Sequence, residues 1–72
     1  MNSRDIFLNL DFERRKRGYT IKELSTRCGI SARTWTGYKM QPEHLPLGVI
    51  EKAANVMMIP LGELLRGRRP ML

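Results

Sequence analysis

Apolar residues recur along this chain at intervals of three and four, not in strict alternation, and helix punctuation separates the clusters. Ser3 is placed to cap a first helix running to about Arg17, where Gly18 suits a left-handed stop and the basic last turn complements the helix dipole. The inward face of this helix has two candidates. Ile6, Phe7 and Leu10 form one stripe, and Leu8 and Phe12 form another on nearly the opposite side. Thr20-Ile21-Lys22-Glu23 reads as a capping box that opens a second helix, with Tyr19 and Leu24 at the positions of a hydrophobic staple. That helix stops before Gly29, and Ser31 caps a third from about Ala32 to Met40. Residues 41–46 hold two prolines and read as a loop. A fourth helix follows from about Leu47 to Met57. Pro60 suits the first position of a fifth, which carries Leu61, Leu64 and Leu65 and ends at Gly67. Residues 68–72 are expected to be a frayed tail. Neither an Asn-Gly nor an Asp-Gly turn occurs. The pattern predicts an all-α fold, a compact bundle of five helices in one domain over residues 1–67.

Size and charge narrow the picture. At 72 residues the chain holds one domain with a modest core. Its 13 Lys and Arg against 7 acidic residues give a net charge of +6, which makes polyanions the natural partners. The basic residues gather at 14–17 and at Arg66, Arg68 and Arg69, with Arg33 and Lys39 between. Taken alone, either cluster is equally a solvated helix end. Cys28 is the only cysteine, so no internal disulfide forms and nothing points to secretion. The polar N-terminus does not read as a signal peptide, and no apolar run reaches membrane-spanning length. A cytoplasmic location is expected.

Residues 20–39 carry the candidate chemistry. Two short helices meet at Gly29, with Ile30 and Ser31 completing the turn, and a tight turn between crossed helices needs the positive φ that glycine permits. Leu24, Cys28, Ile30, Trp35 and Tyr38 are spaced to fill the angle between the helices, and Ser25 is small where they approach most closely. The outer face of the later helix is then Ala32, Arg33, Thr36 and Gly37, with Lys39 and Met40 at its end. A helix fits the major groove, and its first residues reach base edges.

Residues 20–39 resemble the Cro/repressor type of helix-turn-helix domain, the XRE family: a small residue follows leucine, glycine marks the turn and Ser31 precedes the recognition helix. The resemblance continues over residues 52–65, where Lys-Ala-Ala-Asn-Val-Met-Met-Ile-Pro-Leu-Gly-Glu-Leu-Leu is similar to the family's fourth helix, apolar connector and fifth helix. It implies a five-helix domain that reads duplex DNA. The departures are specific. Ile21 stands where the family usually has a phosphate-binding Gln. Lys39 stands where a glutamate usually pairs with an arginine of the first helix. Glu43 and His44 are the titratable groups of a loop that is often basic, Trp35 replaces a Val or Ile, and Gly37 costs the recognition helix about 1 kcal/mol against Ala.

The expected base-reading residues are Ala32, Arg33, Thr36 and Gly37, and the expected phosphate contacts are Ser31 and Lys39. Arg33 has the fork that matches O6 and N7 of guanine; the plainer alternative is a phosphate contact or an idle surface arginine. Thr36 suits a thymine methyl or a phosphate, Ala32 a methyl or mere helix formation, and Ser31 is first of all a cap. Trp35 and Tyr38 face inward with Ile30, which makes them core in preference to base-stacking platforms. Met57 and Met58 read as core and edge of core in the fourth helix. One Cys and one His make no metal set, nothing supplies an oxyanion hole, and no cofactor or small-molecule ligand is evident. The function so read is a transcriptional regulator of phage, prophage or bacterial type, with no enzymatic activity and no membrane partner. A different class, a protein-interaction module that keeps the fold without reading DNA, is the alternative that Ile21, Glu43 and Gly37 favour. A weak homodimer is expected through the helix-five end, where Leu61, Leu65, Met71 and Leu72 are left over, although one stripe of the first helix is left over too.

Overall fold

A computed structural model of the chain describes residues 2–65. Within them lie α1 (Ser3–Lys16), α2 (Ile21–Arg27), α3 (Ala32–Met40), α4 (Leu47–Met57) and α5 (Leu61–Leu65), with a 3-10 turn at Pro42–His44 and no strand. The expected stop at Gly67, the tail at 68–72 and the apolar pair Met71 and Leu72 lie outside the described residues.

Side-chain caps open the first three helices. Asn2, not Ser3, caps α1: its Oδ1 accepts from the Asp5 N–H at 2.9 Å, and Ser3 is the first helical residue. Both residue types are strong caps, so adjacent candidates compete and the position alone does not choose. Thr20 and Glu23 form the expected capping box on α2, and Ser31 caps α3 by accepting from the Thr34 N–H at 3.0 Å.

One pair of hydrogen bonds closes α1, α2 and α4. Gly18 N–H donates to Arg15 O and Tyr19 N–H to Arg14 O, Gly29 to Thr26 and Ile30 to Ser25, Met58 to Asn55 and Ile59 to Ala54. This Schellman arrangement satisfies the last carbonyls and needs a left-handed residue at its centre. Gly18 and Gly29 take it at φ 79° and 80°. Met58 takes it at φ 57°, which corrects its placement as a helical residue at the edge of the core. It terminates α4 and is 89% exposed.

The core joins Phe7 and Leu10 of α1 to Leu24, Cys28 and Trp35, then to Ile50, Ala53, Ala54 and Met57 of α4, and to Ile59 and Leu64. Phe7 and Trp35 meet with ring centroids 5.5 Å apart, tilted by 50°. That contact decides between the two stripes of α1. Ile6, Phe7 and Leu10 face inward, and Leu8 and Phe12 remain 51% and 41% exposed. Asn9 is buried beside Leu10 and donates to the Leu64 carbonyl at 3.4 Å, tying α1 to α5. Leu61 and Leu65 were expected to be left over, yet both are half-buried and pack against the core. The α3–α4 connection is also more ordered than a plain loop. Its 3-10 turn buries Pro42 and packs against α1 and α3.

Candidate nucleic-acid interface

The site is built on α2, the Gly29 turn and α3. At the start of α2 the Thr20 hydroxyl accepts from the Glu23 N–H at 3.0 Å, and the Glu23 carboxylate accepts from the Thr20 N–H at 2.8 Å. The bond from the Thr20 backbone, then that from its hydroxyl, holds the Glu23 carboxyl below its usual range. Tyr19 packs against the core at the foot of α2, and the Arg27 guanidinium lies 5.7 Å from its ring centroid. Arg14 ties the preceding corner, bonding Asp11 at 2.9 Å and the Tyr19 carbonyl at 2.8 Å.

These contacts account for much of the basic run at 14–17. Arg15 pairs with Asp11 at 2.9 Å, Arg17 pairs with Glu13, and Lys16 lies over the Phe12 ring. Three of the four cations at the end of α1 are therefore engaged by the two carboxylates of Asp11 and Glu13. Arg33 and Lys39 are different: both are exposed, and no acidic group among the described residues pairs with either.

Helix α3 turns one face to the core and one outward. Trp35 is 1% exposed, and Tyr38 is half-buried against the core. Arg33, Thr36, Gly37 and Lys39 are exposed, as is Met40 beyond them. Ala32, the first residue of α3, was expected on the open face but is half-buried. The Ser31 hydroxyl is already engaged: it accepts from the Thr34 N–H and lies 3.0 Å from the Thr34 hydroxyl. Thr36 is engaged as well, its hydroxyl donating to the Ala32 carbonyl at 3.1 Å. A methyl built on Gly37 would meet no atom within 4 Å, so packing inside the domain does not demand glycine there.

Lys52, which the sequence pattern did not single out, belongs to this surface. A methyl built on Gly29 would lie 3.7 Å from its Nζ, so α4 carries a cation to the turn between α2 and α3. Only the folded arrangement brings positions 29 and 52 together. Cys28, just inside the turn, is buried, and burial pushes its thiol up while Lys52 opposes the shift. No group of three or more His, Cys, Asp or Glu among the described residues is placed to hold a metal. No described helix is long and apolar enough to cross a membrane.

The profile of the Cro/C1-type HTH DNA-binding domain matches residues 9–66, from the middle of α1 through α5. The chain belongs to that family. Neither the curated proteins nor the solved structures give a match. Family membership makes α2 and α3 the helix-turn-helix and makes DNA binding the class of the domain, one typically without enzymatic activity. With lysine at 39, no glutamate stands at that position to pair with an arginine of α1, and Arg14 instead bonds Asp11 and the Tyr19 carbonyl within its own corner.

Proposed function

We propose that this domain is a sequence-specific transcriptional regulator of phage, prophage or bacterial type that inserts α3 into the major groove of duplex DNA. One observation carries the reading. In a helix-turn-helix of the DNA-binding family, Arg33 and Lys39 project from the recognition helix with no acidic partner among the described residues. An unpaired arginine keeps its whole fork for O6 and N7 of guanine, the commonest specific contact to a base. Ala32, Thr36 and Gly37 meet neighbouring base edges. Lys39, at the end of the helix, meets a phosphate. Ser31 serves as cap, so its part in phosphate binding runs through the N-terminus of α3 that it holds in place. The regulator acts by occlusion or recruitment at a promoter. Its activity is set by concentration and by pairing of two subunits, for which the α5 end with Leu61 and Leu65 is our candidate.

The test compares two variants on the preferred duplex and on random duplex. Arg33→Ala is expected to cost about 1–3 kcal/mol on the preferred site and to relax the preference at one base pair. Lys39→Ala is expected to weaken all sequences alike and to flatten the salt slope by about one unit. If Arg33→Ala weakens both duplexes equally, Arg33 is a phosphate contact and the readout assigned to it is wrong.

A further inference from the structure

Five residues of α3 lie at helical spacing toward its outer side: Arg33, Thr36, Gly37 and Met40 are exposed, and Ala32 is half-buried at the margin. Four of them carry no charge. Ala32, Thr36 and Met40 stand four residues apart in one row, with Arg33 and Gly37 in the next. Met40 is 76% exposed although it is a large apolar side chain. Nothing in the described domain covers it. Thr36 has turned its hydroxyl back onto the helix, donating to the Ala32 carbonyl at 3.1 Å. A β-carbon whose oxygen is folded against the backbone offers its methyl to the outside. Gly37 leaves a notch beside this row, open for at least 4 Å around a hypothetical methyl. That glycine costs helix propensity and serves no internal packing, and it leaves this part of the face open to close approach from outside.

We infer that the Ala32–Thr36–Met40 row is an apolar reading edge that selects thymine C5-methyl groups, next to the guanine read by Arg33. The inference rests on the DNA-reading function proposed above and specifies the bases. The chemistry of the groove fits the row. The thymine methyl is the apolar group that base edges present in the major groove, and small apolar side chains are its usual partners. Donating to Ala32 leaves the Thr36 hydroxyl only acceptor capacity toward a base, while its methyl stands free for apolar contact. The Gly37 notch brings the base edges within reach of side chains as short as Ala32 and Thr36. The preferred half-site therefore contains guanine flanked by thymines that are distinguished from cytosine by their methyl and not by hydrogen bonding alone.

Replacing thymine with uracil removes that methyl and leaves base pairing intact. In the duplex enriched by selection from a random pool, each thymine is replaced in turn by deoxyuridine and binding is titrated. At one or two positions affinity should fall by about fourfold, the worth of one buried methyl, with the salt slope unchanged. At one of them Thr36→Ser should bind thymine and uracil duplexes equally, while Thr36→Val keeps the discrimination. The position is exposed, and circular dichroism checks that both variants remain folded. At the other position, where two are found, Met40→Gln should erase the difference. Selective duplex binding that is indifferent to uracil at every position overturns this inference alone. So does a uracil penalty that neither Thr36→Ser nor Met40→Gln reduces. If Thr36→Val loses affinity and Thr36→Ser does not, the contact belongs to the hydroxyl and the inference is wrong. Failure to select any duplex overturns the DNA-reading function and this inference with it.

Discussion

Ser25 sits fully buried where α2 approaches its neighbours, and its hydroxyl oxygen has no hydrogen-bond partner among the described residues. Size explains a small residue there; the hydroxyl itself has no role in the packing. An unpaired buried hydroxyl costs about 1–3 kcal/mol, and alanine is also the better helix former. Ser25→Ala is therefore expected to raise stability by about 1 kcal/mol, measured by urea or thermal unfolding. A loss of stability would mean that the hydroxyl has a partner in solution. Residues with local tasks were legible in the sequence, because a cap or a positive-φ glycine is fixed by neighbours a few positions away. Thr20, Ser31 and Gly29 are such cases. Asn2 and Lys52 were not. The first lost to an equally good cap next door, and the second acquires its place only when α4 packs beside the Gly29 turn.

At the level of the element, helix termini organise this fold. The same hydrogen-bond pair stops α1, α2 and α4, but α4 uses a methionine where the other two use glycine. A left-handed residue with a β-carbon is strained by about 1–2 kcal/mol, and glycine gives part of that back through its freedom in the unfolded chain. Met58 is exposed, so no core contact is lost by trimming it. Met58→Gly should stabilise the domain by up to about 1 kcal/mol, and Met58→Val, β-branched at positive φ, should destabilise it. Equal melting temperatures for the three proteins would show that the terminator is not strained. Helix spans were legible because capping signals bracket them. The buried face of α1 was not, because Leu8 and Phe12 form as good a stripe as the core residues in isolation. The position of Trp35, a partner supplied by another helix, settles it through Phe7.

At the scale of the whole molecule, the proposed function requires a domain this small to select one site. A single recognition helix reads only a few base pairs, and pairing two subunits on half-sites about one helical turn apart multiplies the selection. Pairing through the α5 end predicts that sedimentation detects a dimer weakly in free protein and strongly with a palindromic duplex. Leu65→Asp, checked to be folded, should then lose operator affinity. A one-to-one complex that persists on a two-half-site duplex with protein in excess would rule the dimer out. The overall architecture was legible because five helices with these breaks leave few ways to bury one core. The assembly was not, because Leu61 and Leu65 pack partly inward while Leu8 and Phe12 stay open, and sequence spacing does not weigh one patch against the other. The central claim is that the unpaired cations of α3 read duplex DNA. Its most direct measurement is selection from a random duplex pool, followed by titration of the enriched and a scrambled duplex across salt concentrations. The account predicts one enriched motif, a steep fall in affinity with salt on both duplexes, and a specific advantage at physiological salt of about a thousandfold or more. A pool that stays random, with no duplex bound even at low salt, would contradict it.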